Sequence, residues 1–138
     1  MQADVALLCD HALVDQFGKL SVIGIWRHIA VPQFPAMHPR AHLVALLRGR
    51  RTDVGSHPFS VQLLDPSGTV VLQNGGTMHV AEPPAGVIDL ESPAVMVLDL
   101  PLAVPGEYAF VVEVDGMLVA RVSFQVEQVP GTPSGGMH

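Results

Sequence analysis

The side chains of this chain best suited to holding a metal are Cys9, His11, His38 and His42, residue types that zinc sites draw on. His38 and His42 stand four apart, a spacing that shares one face of a helix, but Pro39 between them calls for extended chain. In a strand the two rings would lie on one side roughly 13 Å apart, too far to share an ion. We therefore read them as strand and loop histidines and expect no metal and no cofactor. The competing reading is a metal-dependent enzyme or metal-binding protein that uses Cys9, His11, His38 and His42.

Other chemistry is thinner. Cys9 follows an apolar run with no Lys or Arg close in sequence to lower its pKa, and no Gly-x-Ser-x-Gly elbow occurs, so nucleophilic catalysis has no carrier. Asp89 and Glu91 fall on one side of an extended segment and read as an exposed strand edge rather than an acid–base pair. Asn74-Gly75-Gly76 lacks the Lys-Ser or Lys-Thr of a phosphate loop and reads as a turn or bulge. Arg48, Arg50 and Arg51 read as a solvated hairpin tip rather than an anion clamp. No catalytic residue is assigned, and the expectation is that the chain is not an enzyme.

The segment from Trp26 to His38 has a different character. It holds the only Trp of the chain together with Arg27, Phe34, Met37 and His38, the mixture found at interface centres. Pro32, Pro35 and Pro39 exclude regular structure from Val31 to Pro39 and stiffen the chain there. These five residues are therefore the expected contacts of an interaction loop that binds a protein partner or a second copy. The competing reading puts Trp26 in the core and Phe34 across its end.

Composition bounds the partners. Hydrophobic residues make up 49% and charged residues 14%, so a sparsely charged surface with some exposed apolar area is expected. Seven Lys and Arg against thirteen Asp and Glu leave a net charge of -6, which repels a phosphate backbone; no nucleic-acid partner is expected. The start, Met1-Gln2-Ala3-Asp4, has no positive charge, and the apolar run from Val5 to Leu8 is too short for a signal peptide. No run approaches the roughly 18 apolar residues of a membrane helix. A single cysteine fits a reducing compartment, so the expected location is the cytoplasm, away from membranes.

The elements that would position these residues are strands. Tyr108, Phe110, Val112 and Val114 alternate with their neighbours, as do Leu118, Ala120, Val122, Phe124 and Val126, which is the period of two. They form a hairpin. A three-residue loop ending at Gly116, with Gly116 in the positive φ of a bulge, sets Val112 opposite Leu118; a two-residue Asp115-Gly116 turn would mix the faces. Further strands are expected at Val5–Cys9, Leu20–Trp26, Ala41–Leu47, Phe59–Leu64, Thr69–Leu72 and Ala94–Leu98, with Asp10–Phe17 as a connection. Asp65-Pro66-Ser67-Gly68 is a turn signal. Pro105-Gly106-Glu107-Tyr108 at a strand entry marks a tyrosine corner, and the whole reads as an all-β, immunoglobulin-like antiparallel β-sandwich of about seven to nine strands. One domain spans 1–130, and 131–138, rich in Gly, Pro, Ser and Thr, reads as a flexible tail.

Ala6-Leu7-Leu8-Cys9-Asp10, Gly18-Lys19-Leu20 with Ile23-Gly24-Ile25, Phe34-Pro35 with His38-Pro39, Leu64-Asp65-Pro66 with Gly68, and Pro105-Gly106-Glu107-Tyr108 with Asp115-Gly116 together resemble a family of small uncharacterised bacterial proteins. The resemblance spans roughly Ala3 to Gln128. It implies a stand-alone β-sandwich and carries over no catalytic residue. The function expected from the sequence is that of a non-enzymatic protein-interaction or ligand-binding domain.

Overall fold

Period-two alternation of Val, Leu, Ile and aromatic residues draws nearly the whole chain into strands. The structure, a computed structural model, describes residues 1–130. The tail expected at 131–138 lies outside the described residues. Nine strands run through the rest: β1 (Gln2–Val14), β2 (Leu20–Trp26), β3 (His28–Val31), β4 (Ala36–Arg50), β5 (Gly55–Leu64), β6 (Val70–Val80), β7 (Asp89–Leu102), β8 (Gly106–Val114) and β9 (Met117–Gln128). They form two sheets, ordered β2-β1-β4-β7 and β3-β9-β8-β5-β6. Neighbours are antiparallel except β3, which runs parallel to β9.

The main core joins the inner faces of both sheets, with Leu8, Leu43 and Leu100 from the first and Leu63, Phe110 and Phe124 from the second. Alternation puts the next residues, Cys9 and Val44, in a smaller cluster with Leu7 and Val95 on the other side of the first sheet. Cross-strand pairing extends that outer side into a row, Ile25–Cys9–His42–Val97, across all four strands. Its ends are exposed, 57% at Ile25 and 47% at Val97, while Cys9 and His42 in the middle are buried. Part of the apolar excess of the composition surfaces here, and part at Phe17, Ile88, Met117 and Leu118.

Two turns share one design. Asp15 accepts the amides of Phe17 and Lys19 at 2.8 and 2.9 Å, and Asp65 accepts those of Ser67 and Thr69, both at 2.9 Å. Gly18 and Gly68 close the two turns in the left-handed region, at φ 81° and 85°. The Ser67 hydroxyl and these amides hold the Asp65 carboxyl below its ordinary pKa.

Three expectations are corrected. Asp10–Phe17 is not a connection throughout, because β1 continues to Val14 in register with β2. Val31 to Pro39 is not free of regular structure, because β3 ends and β4 begins inside it. Pro39 is tolerated there because it sits in a bulge between His38 and Ala41, where no ladder donor is needed. Arg40, at φ 54° in that bulge, donates its amide to the Asp99 carboxylate at 2.9 Å. The terminal hairpin uses the two-residue turn after all, with Asp115 at φ 55° and Gly116 at φ 76°. A bulge at Val119 then sets Val112 opposite Ala120 and Phe110 opposite Val122, so the apolar faces still match.

Tyr108 is buried at the entry of β8, its hydroxyl donating to the Val104 carbonyl at 2.7 Å and accepting the Val104 amide at 3.3 Å. Removing that hydroxyl orphans two backbone groups. Tyr108→Phe is expected to cost about 0.5–1.5 kcal/mol, read as a lower denaturation midpoint with an unchanged slope.

His57 ties β5 to the last hairpin. Its ring nitrogens face the Asp53 carbonyl and, at 2.7 Å, the Asp115 carboxylate, two acceptors that only the imidazolium can serve together. The Asp53 carbonyl, then Asp115, raise its pKa above the ordinary 6.5. Its contribution is therefore full below pH 6.5 and is lost as pH rises through the raised folded value. Melting temperature should fall across that window in the native protein, and His57→Gln should flatten the fall.

Candidate functional site

Four aromatic side chains, Trp26, Tyr108, Phe110 and Phe124, cluster in one half of the sandwich. Phe124 stacks on Tyr108 at 5.6 Å between ring centroids, leans on Phe110 at 6.0 Å and takes the Trp26 ring edge-on at 5.5 Å. These rings separate the sheets by the width of their own bulk. Further along the same strand β8 offers only Val112 and Val114, and opposite them β4 and β7 offer Ala45 and Ala94, which are paired. Small side chains facing small side chains across a gap set by aromatics leave a cleft of about 320 Å³.

The floor of the cleft is buried: Leu43, Ala45 and Leu47 from β4, Val61 from β5, Val112 and Val114 from β8. The rim is half-buried and comes from the edge strands, Met78 of β6 with Pro93, Ala94 and Met96 of β7. Phe59 forms one wall, its ring 3.3 Å from the place a Cβ on Gly76 would occupy. Asn74-Gly75-Gly76 is thus part of strand β6, not the expected turn, because those glycines let β6 pass close to Phe59. Every lining residue is apolar, so the site can take uncharged apolar matter and offers nothing for acid–base or metal chemistry.

A second cavity, about 340 Å³, is shallow and polar, lined by Arg48 and Arg50 with Asp53 and Asp89. It is no anion clamp. Arg48 pairs with Asp4 at 3.3 Å, the Arg51 guanidinium is spent on the carbonyls of Pro84 and Val87, and the carboxylates of Asp53 and Asp89 share the cavity with Arg50. Asp89 and Glu91 lie opposite Arg50 and Arg48 on the neighbouring strand, a cross-strand charge ladder.

The metal constellation comes apart at the β4 bulge. One extra residue between His38 and Ala41 inverts the alternation, so His38 turns to Trp26, 5.1 Å between centroids, while His42 lies on the outer side against His11 at 5.3 Å. His42 donates Nδ1–H to the Arg40 carbonyl at 3.0 Å. Burial pushes the Cys9 thiol up, and it donates to the His11 carbonyl. Among the described residues no three His, Cys, Asp or Glu side chains converge on a metal position.

The segment expected to be a rigid interaction loop is divided between core and surface. Trp26 and Phe34 pack against the main core, and Ile29 and Val31 of β3 are buried within it. Arg27 and Met37 remain exposed. The prolines leave both strands intact because Pro32 and Pro35 fall in the connection between β3 and β4 and Pro39 in the β4 bulge, where no ladder donor is needed. The cleft itself was missed from sequence, since its signal, Ala45 paired beside Ala94, exists only once the β4–β7 register is known.

The model of a family of unknown function, DUF6941, matches residues 4–127. The chain belongs to that family. No curated protein matches it. Among solved structures, this DUF6941 chain is similar to the Pseudomonas fluorescens alkylpurine DNA glycosylase AlkC bound to DNA containing an abasic site analog, at 10% identity and a TM-score of 0.41. The match covers 88% of this chain and 30% of the glycosylase chain. Two expectations are corrected by this finding: a DNA-bound enzyme among the similar structures removes both the reading of the chain as no enzyme and the exclusion of nucleic acid. A likeness at that TM-score assigns neither glycosylase activity nor DNA binding to this chain. Among the described residues no helix is long and apolar enough to cross a membrane.

Because Phe34 packs on the core, Phe34→Ala is expected to cost about 2 kcal/mol of stability. Chemical denaturation measures it; an unchanged midpoint would return Phe34 to the surface.

Proposed function

We propose that this chain is an immunoglobulin-like β-sandwich that binds a small apolar ligand in the cleft between its sheets. The immunoglobulin-like part is supported by the parallel β3–β9 pair beside an otherwise antiparallel sheet, and by the Tyr108 hydroxyl closing on Val104 just before β8. The ligand-binding part rests on one observation, the 320 Å³ cleft with an entirely apolar lining. That volume lies at the lower end of small-molecule sites, and an apolar guest there exchanges water for side chains on most of its surface. The free cysteine, Cys9, buried among aliphatic neighbours, supports a reducing compartment.

A neutral dye that fluoresces only in apolar surroundings, N-phenyl-1-naphthylamine, tests this. The native protein should bind it saturably at one per chain. Ala45→Phe, which fills the cleft from its floor, should weaken binding at least tenfold while the denaturation midpoint holds or rises. A dye that stays dark with the native protein, or binds Ala45→Phe equally well, ends this reading.

A further inference from the structure

Resting on that reading, we infer that Phe59 is the residue that sets how much of the cleft is open to a guest, and that Gly76 holds its ring in the open position. Phe59 lies between two cross-strand partners, Gly76 on β6 and Val114 on β8. A Cβ on Gly76 would stand 3.3 Å from Cε1 and 3.5 Å from Cζ of Phe59. Those atoms form the far edge of the ring, whereas paired side chains ordinarily approach at their roots, with Cβ atoms about 4.5–5.5 Å apart. The ring is therefore tipped across the sheet onto β6. Val114, on the side it has vacated, floors the cleft.

Backbone conformation does not call for glycine at position 76. Its φ lies outside the left-handed region that seven other glycines occupy, and a glycine inside a strand weakens it. Chain neighbours aside, the Phe59 ring is all that a Cβ there would meet within 4 Å among the described residues. The glycine thus serves the ring. A side chain at position 76 takes the ring's place on β6, and the direction left to it across the sheet is toward Val114, into the cleft. Phe59 touches the guest; Gly76 is a positioning residue that acts through it.

The full chain and the same dye test this through a double-mutant cycle. Gly76→Val should weaken dye binding about fivefold or more by overfilling the cleft, while the denaturation midpoint holds or rises, because valine is the better strand former. In a Phe59→Leu background the same Gly76→Val change should alter binding less than about twofold, a coupling that a merely structural role of Gly76 would not produce. The α-protons of Gly76 should show a ring-current shift in the native protein that Phe59→Leu removes. If Gly76→Val fails to fold, Gly76→Ala replaces it as the smaller intrusion, with about a twofold loss expected in the native background and none in Phe59→Leu. Equal losses in the two backgrounds, native affinity in Gly76→Val, or an unshifted Gly76 overturns the role of Phe59 while the ligand-binding reading stands. If the native protein leaves the dye dark, the ligand-binding reading falls and this inference falls with it.

Discussion

The packing of Phe124 against Tyr108, Phe110 and Trp26 is the contact on which the rest of the molecule depends. Aromatic side chains bury the largest areas of any residues and cannot be compressed, so they set how far apart two sheets can stand. The sheets are stiff over the length of their strands, and a separation established at one place is carried to places with smaller side chains. Where Val112, Val114, Ala45 and Ala94 meet, that separation exceeds what they can fill. The cleft is thus a consequence of the aromatic cluster.

Bulges decide which chemistry meets which. A strand presents alternate residues to opposite faces, and one inserted residue exchanges the faces from that point on. The bulge beside Pro39 sends His38 toward Trp26 and His42 to the outer side, dissolving a histidine pair that the spacing alone would have kept on one side. The bulge at Val119 does the opposite, restoring apolar pairing that a two-residue turn would have spoiled. Both are small departures in backbone, and both outweigh several residues of pattern in their effect on function.

The outer side of the first sheet shows the same logic in composition. A chain with 14% charged residues cannot cover itself with charge. Part of the uncovered area lies at the two ends of the row from Ile25 to Val97, with Cys9 and His42 between them sealed beneath their neighbours rather than offered to solvent, and more lies at Phe17, Ile88, Met117 and Leu118. Burial of this kind explains why Cys9 is a packed thiol and His42 a hydrogen-bonded ring.

Much of the architecture was legible in the residues alone. The all-β class, the span of β2, the Asp65–Gly68 turn and the terminal hairpin follow from period-two alternation and from turn residues that act locally, through φ and side-chain hydrogen bonds within a few positions. Strand ends, the Val31–Pro39 segment and the hairpin register did not follow, because a proline or a two-residue turn is acceptable or not according to whether a partner strand needs the missing donor or face. The cleft was beyond the sequence for a stronger reason. Ala45 and Ala94 lie 49 positions apart, and Phe124 is farther still. That the first two pair side by side on one sheet, across a gap from Val112 and Val114 of the other that the third helps hold open, is a fact about strand register and sheet stacking, which only long-range packing decides.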